Sequence, residues 1–322
     1  MFRAGDRIDR YEIMGELGRG GMATLYLARE HGGREVAIKV MHREVANDVE
    51  VQKMFLDEAR LSTRIRHPNV VRVERIASCE RGPYIVMEYV RGATLAAVLR
   101  ARAAARAPLP VELAVAIAAK IAEALHAAHE TRDELGHELG IVHRDVSPSN
   151  VLLGVRGDVK LIDFGVARAR KRLARTMPGC VKGKLAYMAP EQLAGVNVDR
   201  RADVFALGVV LWEMLALRRL FHAADDLETI LRIRDPAPVP PPSLHRADVP
   251  AQLDDVVATM LARHLEERFS TAAAARHAML LACPDALSVG PERLAALVAA
   301  QPAAAPSIAD EPTVPARPEG ER

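Results

Sequence analysis

The feature that most constrains the fold is a change of hydrophobic pattern near Gly92. Before this point, apolar and β-branched runs such as YEIMGEL, TLYLARE and EVAIKVM alternate with glycine pairs, which predicts a meander of antiparallel strands. After it, long Ala- and Leu-rich stretches show helical spacing. Because a run of strands followed by a run of helices is typical of the α+β class, we expect that class here.

Three further segments interrupt this pattern. Residues 51–65 carry apolar side chains at helical spacing, so one helix is expected among the strands, and the HisProAsn sequence at 67–69 ends it. The proline-rich stretch at 235–243 is predicted to be an extended or turning linker. Beyond about residue 302 the chain is rich in Ala, Pro and Ser with scattered charge, which predicts disorder.

Composition excludes several classes of protein. The formal net charge of +2 over 322 residues gives no reason to expect nucleic acid or an anionic membrane as a partner. Cys79, Cys180 and Cys283 are widely spaced, which argues against a disulfide framework and fits reduced thiols. The polar beginning of the chain does not resemble a signal peptide, and no apolar run is long enough to span a bilayer. We therefore expect a cytoplasmic protein.

A glycine-rich turn and a lysine suggest an anion site in the first part of the chain. Gly18, Gly20 and Gly21 lie between two predicted strands, where the backbone can approach an anion without interference from Cβ atoms. Such a hairpin can equally be only a hairpin. However, the VAIK run places Lys39 on the next strand, and Glu58 on the interrupting helix is a candidate partner for its charge, although a solvated carboxylate is the alternative.

With these residues in place, the chain resembles a bacterial serine/threonine protein kinase of the Hanks type. The resemblance rests on the loop GRGGMATLYLA, on VAIK, on Glu58, on MEYV at 87–90, on IVHRDVSPSN from residue 141, and on LIDFGVA and APE further along. It runs from about residue 11 to about residue 283 with the motifs in family order.

The resemblance implies a fold of two lobes and an activity. It implies a small antiparallel sheet lobe with one helix at 11–90, after a lead-in at 1–10, and a larger helical lobe at 91–285, followed by a C-terminal extension at 286–322. ATP and Mg²⁺ would bind between the lobes, and the γ-phosphoryl group would pass to Ser or Thr hydroxyls of proteins. Two alternatives stay open, a pseudokinase scaffold and a small-molecule kinase.

The resemblance also assigns roles to residues. Asp145 would accept the proton of the substrate hydroxyl, while Asn150 and Asp163 would hold magnesium through oxygen atoms. Lys39 would be held by Glu58. His143 would be a packed structural residue rather than an acid or base. The residues expected to line the nucleotide site are Leu17, Gly18, Arg19, Gly20, Gly21, Met22, Ala23, Thr24, Leu25, Ala37, Lys39, Glu88, Val90 and Leu152.

Other positions would be architectural by the same resemblance. Glu191, in the sequence APE, would pair with Arg268, and Asp203 would hold the backbone of the catalytic loop.

The chain departs from the family pattern at three places. Ala23 replaces a glycine of the loop, which is a small change. Ser147 stands where these kinases carry a lysine that reaches the transferred phosphate, and Lys184 stands where they usually have a threonine. Since a hydroxyl supplies no charge, our hypothesis is that Lys184 partly replaces the missing lysine.

The stretch between Asp163 and Glu191 is basic and carries a single hydroxyl, on Thr176. A solvated loop is one interpretation. The other is that Arg144 grips a phosphorylated loop, which predicts autophosphorylation at Thr176 through a transient homodimer and a preference for acidic substrates. A longer than usual link at 130–140 is predicted to be a surface insertion.

Overall fold

The computed structural model describes residues 1–164, 184–196, 198–235 and 237–299. These residues form a small lobe built on one antiparallel sheet and a large lobe built mainly of helices. The α+β, two-lobed fold predicted from the sequence is confirmed.

The small lobe is a six-stranded antiparallel sheet with the strand order β1-β2-β3-β4-β6-β5. Side chains alternate between its two faces, and the larger apolar group on one face packs around Tyr11, Ile13, Ile38 and Tyr84. The strands are β1 (Arg7–Ile8), β2 (Tyr11–Arg19), β3 (Ala23–Glu30), β4 (Glu35–Met41), β5 (Val73–Cys79) and β6 (Gly82–Glu88).

Two helices connect β4 to β5, the short α1 (Arg43–Ala46) and the longer α2 (Val49–Arg64). The side chain of Asp48 accepts hydrogen bonds from the first backbone N–H groups of α2, which fixes where the helix begins. Phe55 and Ala59 pack into an apolar cluster with residues of the sheet. Glu58 is therefore carried on the buried side of α2, with only 8% of its surface exposed.

The large lobe packs around helices that are apolar on nearly every side. Almost all residues of α6 are buried, as expected for a helix surrounded by others. Its helices are α3 (Leu95–Ala104), α4 (Val111–His129), α5 (Pro190–Ala194), α6 (Arg201–Ala216), α7 (Asp226–Arg234), α8 (Ala251–Met260), α9 (Ala272–Ala282) and α10 (Pro291–Ala299).

A three-stranded sheet on the large lobe faces the small lobe. It consists of β7 (Gly92–Thr94), β8 (Val151–Gly154) and β9 (Val159–Leu161), with β8 in the centre. A bridge between Val70 and Leu161 joins β9 to the chain that leads into β5. The residues just before β8 and just after β9 are thus brought to the cleft between the lobes.

Two peripheral segments are ordered by local contacts. In the predicted insertion at 130–140, the side chain of Asp133 accepts hydrogen bonds from two backbone N–H groups, and Arg132 pairs with Glu138. In the C-terminal extension, α10 buries Leu294 and Leu297 in the core of the large lobe. No helix among residues 1–164, 184–196, 198–235 and 237–299 is long and apolar enough to cross a membrane.

Candidate active site

The cleft between the lobes collects most of the residues that the sequence predicts for a nucleotide site. Its lining includes the glycine-rich turn, the middle of β4, the end of β6 and the residues around β8 and β9. The sequence-predicted residues that line it are Leu17, Gly18, Arg19, Gly20, Gly21, Met22, Ala23, Leu25, Ala37, Lys39, Glu58, Glu88, Val90, Asn150, Leu152 and Asp163.

The glycine-rich turn connects β2 to β3 and covers the cleft from above. The backbone N–H of Gly20 donates to the carbonyl of Ala23 at 2.9 Å, which closes the turn. Thr24 lies outside the lining: it is buried, and its hydroxyl is 2.9 Å from Nε2 of His42. The structure therefore places the Thr24 side chain away from the other predicted nucleotide residues, because neighbouring positions on a strand face opposite sides.

Lys39 projects from the central strand β4 into the cleft. Its Nζ atom lies 2.7 Å from Oδ1 of Asp163 and 3.9 Å from Oε1 of Glu58. The three side chains come from β4, α2 and the chain after β9, and each is less than a fifth exposed. The strong contact is with Asp163, and Glu58 is a more distant ionic partner.

The connection between the lobes forms the apolar end of the cleft. Val90 and Leu152 approach each other from the two lobes, with Val71 and Ile162 beside them, and together they make a slot for a flat apolar ring. The side chain of Glu88 accepts hydrogen bonds from Lys160 Nζ and from the backbone N–H of Arg72, each at 2.8 Å.

Asp145 and Asn150 are locked together within the catalytic loop. The side-chain amide of Asn150 donates to the backbone carbonyl of Asp145 at 2.7 Å and to its Oδ2 at 2.8 Å. Asn150 lines the cleft just before β8, and these bonds place the Asp145 carboxylate next to it. The amide nitrogen is used internally, and its oxygen is the atom that can face a cation.

Asp203 fixes the backbone of the catalytic loop from below. It is fully buried at the start of α6 and accepts hydrogen bonds from the backbone N–H of His143 at 2.8 Å and of Arg144 at 2.7 Å. Nε2 of His129 lies 2.8 Å from the same carboxylate. Although burial by itself raises the pKa of Asp203, these hydrogen bonds and the neighbouring imidazoles outweigh it and lower the pKa.

His143 is packed rather than exposed to substrate. Burial lowers its pKa, although Asp203 and Asp145 oppose the shift, so the imidazole is neutral near neutral pH. Nδ1 accepts from the backbone N–H of Asp145 at 3.2 Å, and Nε2 donates to the carbonyl of Ile162 at 2.9 Å. Its ring also contacts Phe164, with centroids 4.5 Å apart. This fits the structural role expected from the sequence.

Two residues of the site have left-handed backbone conformations. Arg144 has φ of 65° and Asp163 has φ of 60°. Non-glycine residues adopt this region at a cost that surrounding contacts must offset, and such residues concentrate at functional sites. Here, the bond from Arg144 N–H to Asp203 and the pair between Asp163 and Lys39 hold the two residues in place.

Lys184 enters the site from the other side. It is 8% exposed, and its Nζ atom lies 3.0 Å from Oδ2 of Asp145 and 3.4 Å from Oδ1 of Asn150. Ser147, which stands where the resemblance leads us to expect a lysine, is 1% exposed, and its hydroxyl is 3.0 Å from that of Ser149. The structure therefore places a cation beside Asp145, but it comes from a distant part of the chain.

The residues predicted for magnesium fit such an ion. Asp163 and Asn150 offer hard oxygen atoms to the same cleft. The Lys39 ammonium lies 2.7 Å from Oδ1 of Asp163, and the Lys184 ammonium lies 3.4 Å from Oδ1 of Asn150. These ammonium groups mark positions where a cation is stabilised. The described ranges hold no group of three or more His, Cys, Asp or Glu side chains placed to bind a metal.

The remaining architectural predictions can also be located. Arg268 donates to both oxygens of Glu191, at 2.7 and 2.9 Å, in a buried two-pronged pair. Thr176 and the basic run around it, namely Arg168, Arg170, Lys171, Arg172, Arg175 and Lys182, lie outside the described residues.

Sequence reasoning missed several residues of the cleft. Phe55, Val71, Met87, Tyr89, Ser149 and Ile162 line it and were not predicted. Alternation along β6 could have found Met87, but Val71 and Ile162 come from irregular chain, where no periodic signal marks the inward side.

Comparisons with known proteins agree with this geometry. The family model described as "Protein kinase domain" matches residues 11–280. The chain is 42% identical over 268 residues to the tyrosine-protein kinase MasK of Myxococcus xanthus and 36% identical over 274 residues to the serine/threonine-protein kinase PknB of Mycobacterium leprae. The matched region is 82% and 83% of this chain, but 41% and 42% of those proteins, so the chain spans about two fifths of their length.

Solved structures give the same result. The crystal structure of the Mycobacterium tuberculosis PknI kinase domain matches with a TM-score of 0.68 and 28% identity, and the match covers 88% of this chain and all of that one.

Proposed function

The chain belongs to the protein kinase family, and we propose that it transfers the γ-phosphoryl group of ATP to Ser and Thr hydroxyls of proteins. The observation that carries this proposal is the convergence of Lys39, Asn150 and Asp163 on one cleft from three separate parts of the chain, with Asp145 bonded to Asn150. A pseudokinase scaffold has no need to keep this set together.

Each residue has a defined task in the proposed reaction. Lys39 orients the nucleotide phosphates, and Glu58 limits its movement. Asp163 and Asn150 would hold Mg²⁺, which would supply positive charge to neutralise the nucleotide phosphates. Asp145 takes the proton from the substrate hydroxyl as its oxygen bonds to the γ-phosphorus. The bond from that phosphorus to the bridging oxygen breaks, and ADP leaves with the electron pair.

The geometry supports Asp145 as the base because its carboxylate is oriented before substrate arrives. Asn150 holds Oδ2, and the bonds from His143 and Arg144 to Asp203 hold the backbone on the N-terminal side of Asp145. Catalysis of phosphoryl transfer depends mainly on such positioning and on charge neutralisation. A loop fixed at both ends of its reactive residue meets the first requirement.

Ser and Thr are proposed as acceptors because the PknB relatives are named serine/threonine-protein kinases. A tyrosine acceptor is the second candidate, since the relative at 42% identity is named a tyrosine-protein kinase. We further propose autophosphorylation at Thr176 between two transiently associated copies. ATP as the substrate points to the cytoplasm as the site of action.

The test is transfer of label from γ-labelled ATP with Mg²⁺ to a generic basic protein and to the chain itself. We expect phosphoserine and phosphothreonine after acid hydrolysis, and loss of transfer by about 10²- to 10⁴-fold in Asp145→Asn, as for removal of a general base. Asp255→Asn, at an exposed position on α8, is the matched control. No label from the unaltered chain would favour the pseudokinase scaffold, and phosphotyrosine would favour the second candidate.

A further inference from the structure

The catalytic loop lacks a charged group at a place where phosphoryl transfer needs one. The transferred group develops negative charge that preorganised donors must stabilise. Position 147 of the loop cannot supply a positive charge, because a serine hydroxyl is neutral. Ser147 is also buried, and its hydroxyl lies within hydrogen-bond distance of the Ser149 hydroxyl.

Lys184 places an ammonium group between the proposed base and the proposed metal ligand. Its Nζ atom is 3.0 Å from Oδ2 of Asp145 and 3.4 Å from Oδ1 of Asn150, and its side chain is 9% exposed. The substrate hydroxyl must also lie within hydrogen-bond distance of Asp145 to lose its proton. The ammonium and the substrate oxygen that attacks phosphorus therefore share a partner, the carboxylate of Asp145.

We propose that Lys184 is a catalytic residue that contacts the transferred phosphoryl group, and that the chain after residue 183 thereby replaces the catalytic loop as the source of this charge. The inference rests on the proposed function. A burial of this depth is costly for an ammonium without partners, and two partners of the reaction centre offset that cost. When substrate and nucleotide occupy the cleft, the same ammonium lies beside the phosphoryl oxygens.

Contacts made by residues of segment 184–192, among themselves and with the large lobe, hold Lys184 at this place. Its carbonyl accepts from the backbone N–H of Tyr187 at 3.1 Å, and the Tyr187 hydroxyl donates to the buried Glu213 at 2.7 Å. The side-chain amide of Gln192 donates to the carbonyl of Arg144 at 3.1 Å, which ties the segment to the catalytic loop. Tyr187 and Gln192 are thus positioning residues for the Lys184 ammonium.

The first test separates a chemical role from a structural one by steady-state kinetics. In Lys184→Met we expect kcat to fall by about 10²- to 10³-fold, the effect of removing one preorganised donor, with the Kd for ADP changed by less than about twofold. Lys184→Arg keeps the charge and should retain more activity than Lys184→Met. Lys120→Met, on α4 and outside the cleft lining, is the control for a lysine replaced elsewhere.

A second test restores the charge in two independent ways. Adding Ser147→Lys to Lys184→Met returns an ammonium from the loop, and we expect kcat to recover at least about tenfold, one decade of the lost stabilisation. Lys184→Cys treated with 2-bromoethylamine regains an ammonium on a side chain of nearly the original length. It should recover activity too, whereas treatment with iodoacetamide, which adds a neutral group, should not. The treated unaltered chain reports any effect of alkylation at its own cysteines.

The outcomes distinguish this inference from the function on which it rests. If the unaltered chain transfers no phosphate, the proposed function fails and the inference fails with it. If the unaltered chain is active and Lys184→Met keeps kcat within about threefold, the inference alone is overturned. It is also overturned if Lys184→Met is inactive but loses ADP binding and thermal stability together, and the alkylated Lys184→Cys protein recovers nothing.

Discussion

The catalytic loop and segment 184–192 bring charged groups to the same point of the cleft, but they are held differently. The loop is held through its backbone, since Asp203 accepts from the N–H groups of His143 and Arg144. The segment is held through side chains, by the pair of Glu191 with Arg268 and by the bond from Tyr187 to Glu213.

This difference predicts that the two kinds of contact affect different properties, kcat for the loop and stability for the segment. A carboxylate bound to two successive amide groups fixes the loop within one residue of Asp145, so its loss should act on kcat. Side-chain pairs that lie three and seven residues beyond Lys184 attach the segment to the large lobe, so their loss should act first on stability.

The largest expected effect is loss of stability in Arg268→Met. The substitution leaves the Glu191 carboxylate buried without the guanidinium, which costs about 3 to 5 kcal/mol when one partner of a buried pair is removed. Urea unfolding followed by fluorescence of Trp212, the single tryptophan of the chain, measures it. Arg276→Met is the control, because its pair with Glu123 is about one third exposed and is worth about 1 kcal/mol or less. Equal losses in both variants would contradict the attachment role.

Asp203→Asn should be less destabilising and more damaging to catalysis. An amide of the same size offers one acceptor oxygen, so a hydrogen bond to His143 or Arg144 is lost at about 1 to 3 kcal/mol. We expect kcat to fall by more than about tenfold while the Kd for ADP stays within about twofold. Asp248→Asn, at a surface pair with Arg246, controls for the substitution. A variant with normal kcat would show that the loop needs no backbone anchor.

The sequence predicts the catalytic loop better than segment 184–192, because the two depend on contacts of different sequence separation. Asp145, Asn150 and Asp163 stand in short runs where spacing and neighbours define a pattern. The contact of Lys184 with Asp145 spans 39 positions, and that of Tyr187 with Glu213 spans 26. Such contacts depend on how helices and irregular chain pack, so the residue types alone suggested a cation near the site without showing what holds it.

Strand direction limited the sequence reasoning in the small lobe as well. The strands and the glycine-rich turn could be predicted from apolar runs and glycine pairs. The β-bulge irregularities in the pairing of β2 with β3 could not be predicted in this way. The resemblance implies that Thr24 lines the nucleotide site, but its neighbour on the strand faces the cleft, and the Thr24 hydroxyl lies beside His42.

A smaller effect is expected for Tyr187→Phe. The change removes one hydroxyl and leaves an oxygen of the buried Glu213 without this donor, at about 1 to 2 kcal/mol. If Tyr187 positions Lys184, kcat should fall about three- to tenfold, less than in Lys184→Met, and should not fall further when the two substitutions are combined. Tyr26→Phe, whose hydroxyl accepts from the backbone of Phe2, is the control in the small lobe. Additive losses would contradict a shared action.

The smallest effect compares two buried groups by pH, His143 of the catalytic loop and Glu213, which accepts from Tyr187 of segment 184–192. Burial lowers the pKa of His143, so the unfolded chain binds a proton below about pH 6.5 that the folded chain rejects. The stability contributed is complete above that pH and is lost as the pH falls toward the folded pKa. Burial raises the pKa of Glu213, although Arg219 and Tyr187 oppose it. Its contribution is complete below about pH 4.3 and is lost as the pH rises through the folded pKa.

Stability should therefore depend on pH with opposite signs through His143 and through Glu213. Between about pH 5 and 6.5, the unfolding free energy of the unaltered chain minus that of His143→Gln should rise with pH, by less than about 1.4 kcal/mol per unit. The same difference against Glu213→Gln should fall wherever the range overlaps the titration of Glu213. His277→Gln, at an exposed position, gives the baseline. Stability rises with pH through a group that binds fewer protons in the folded state, and it falls with pH through a group that binds more. Equal signs for both variants would mean that His143 or Glu213 is not buried as described.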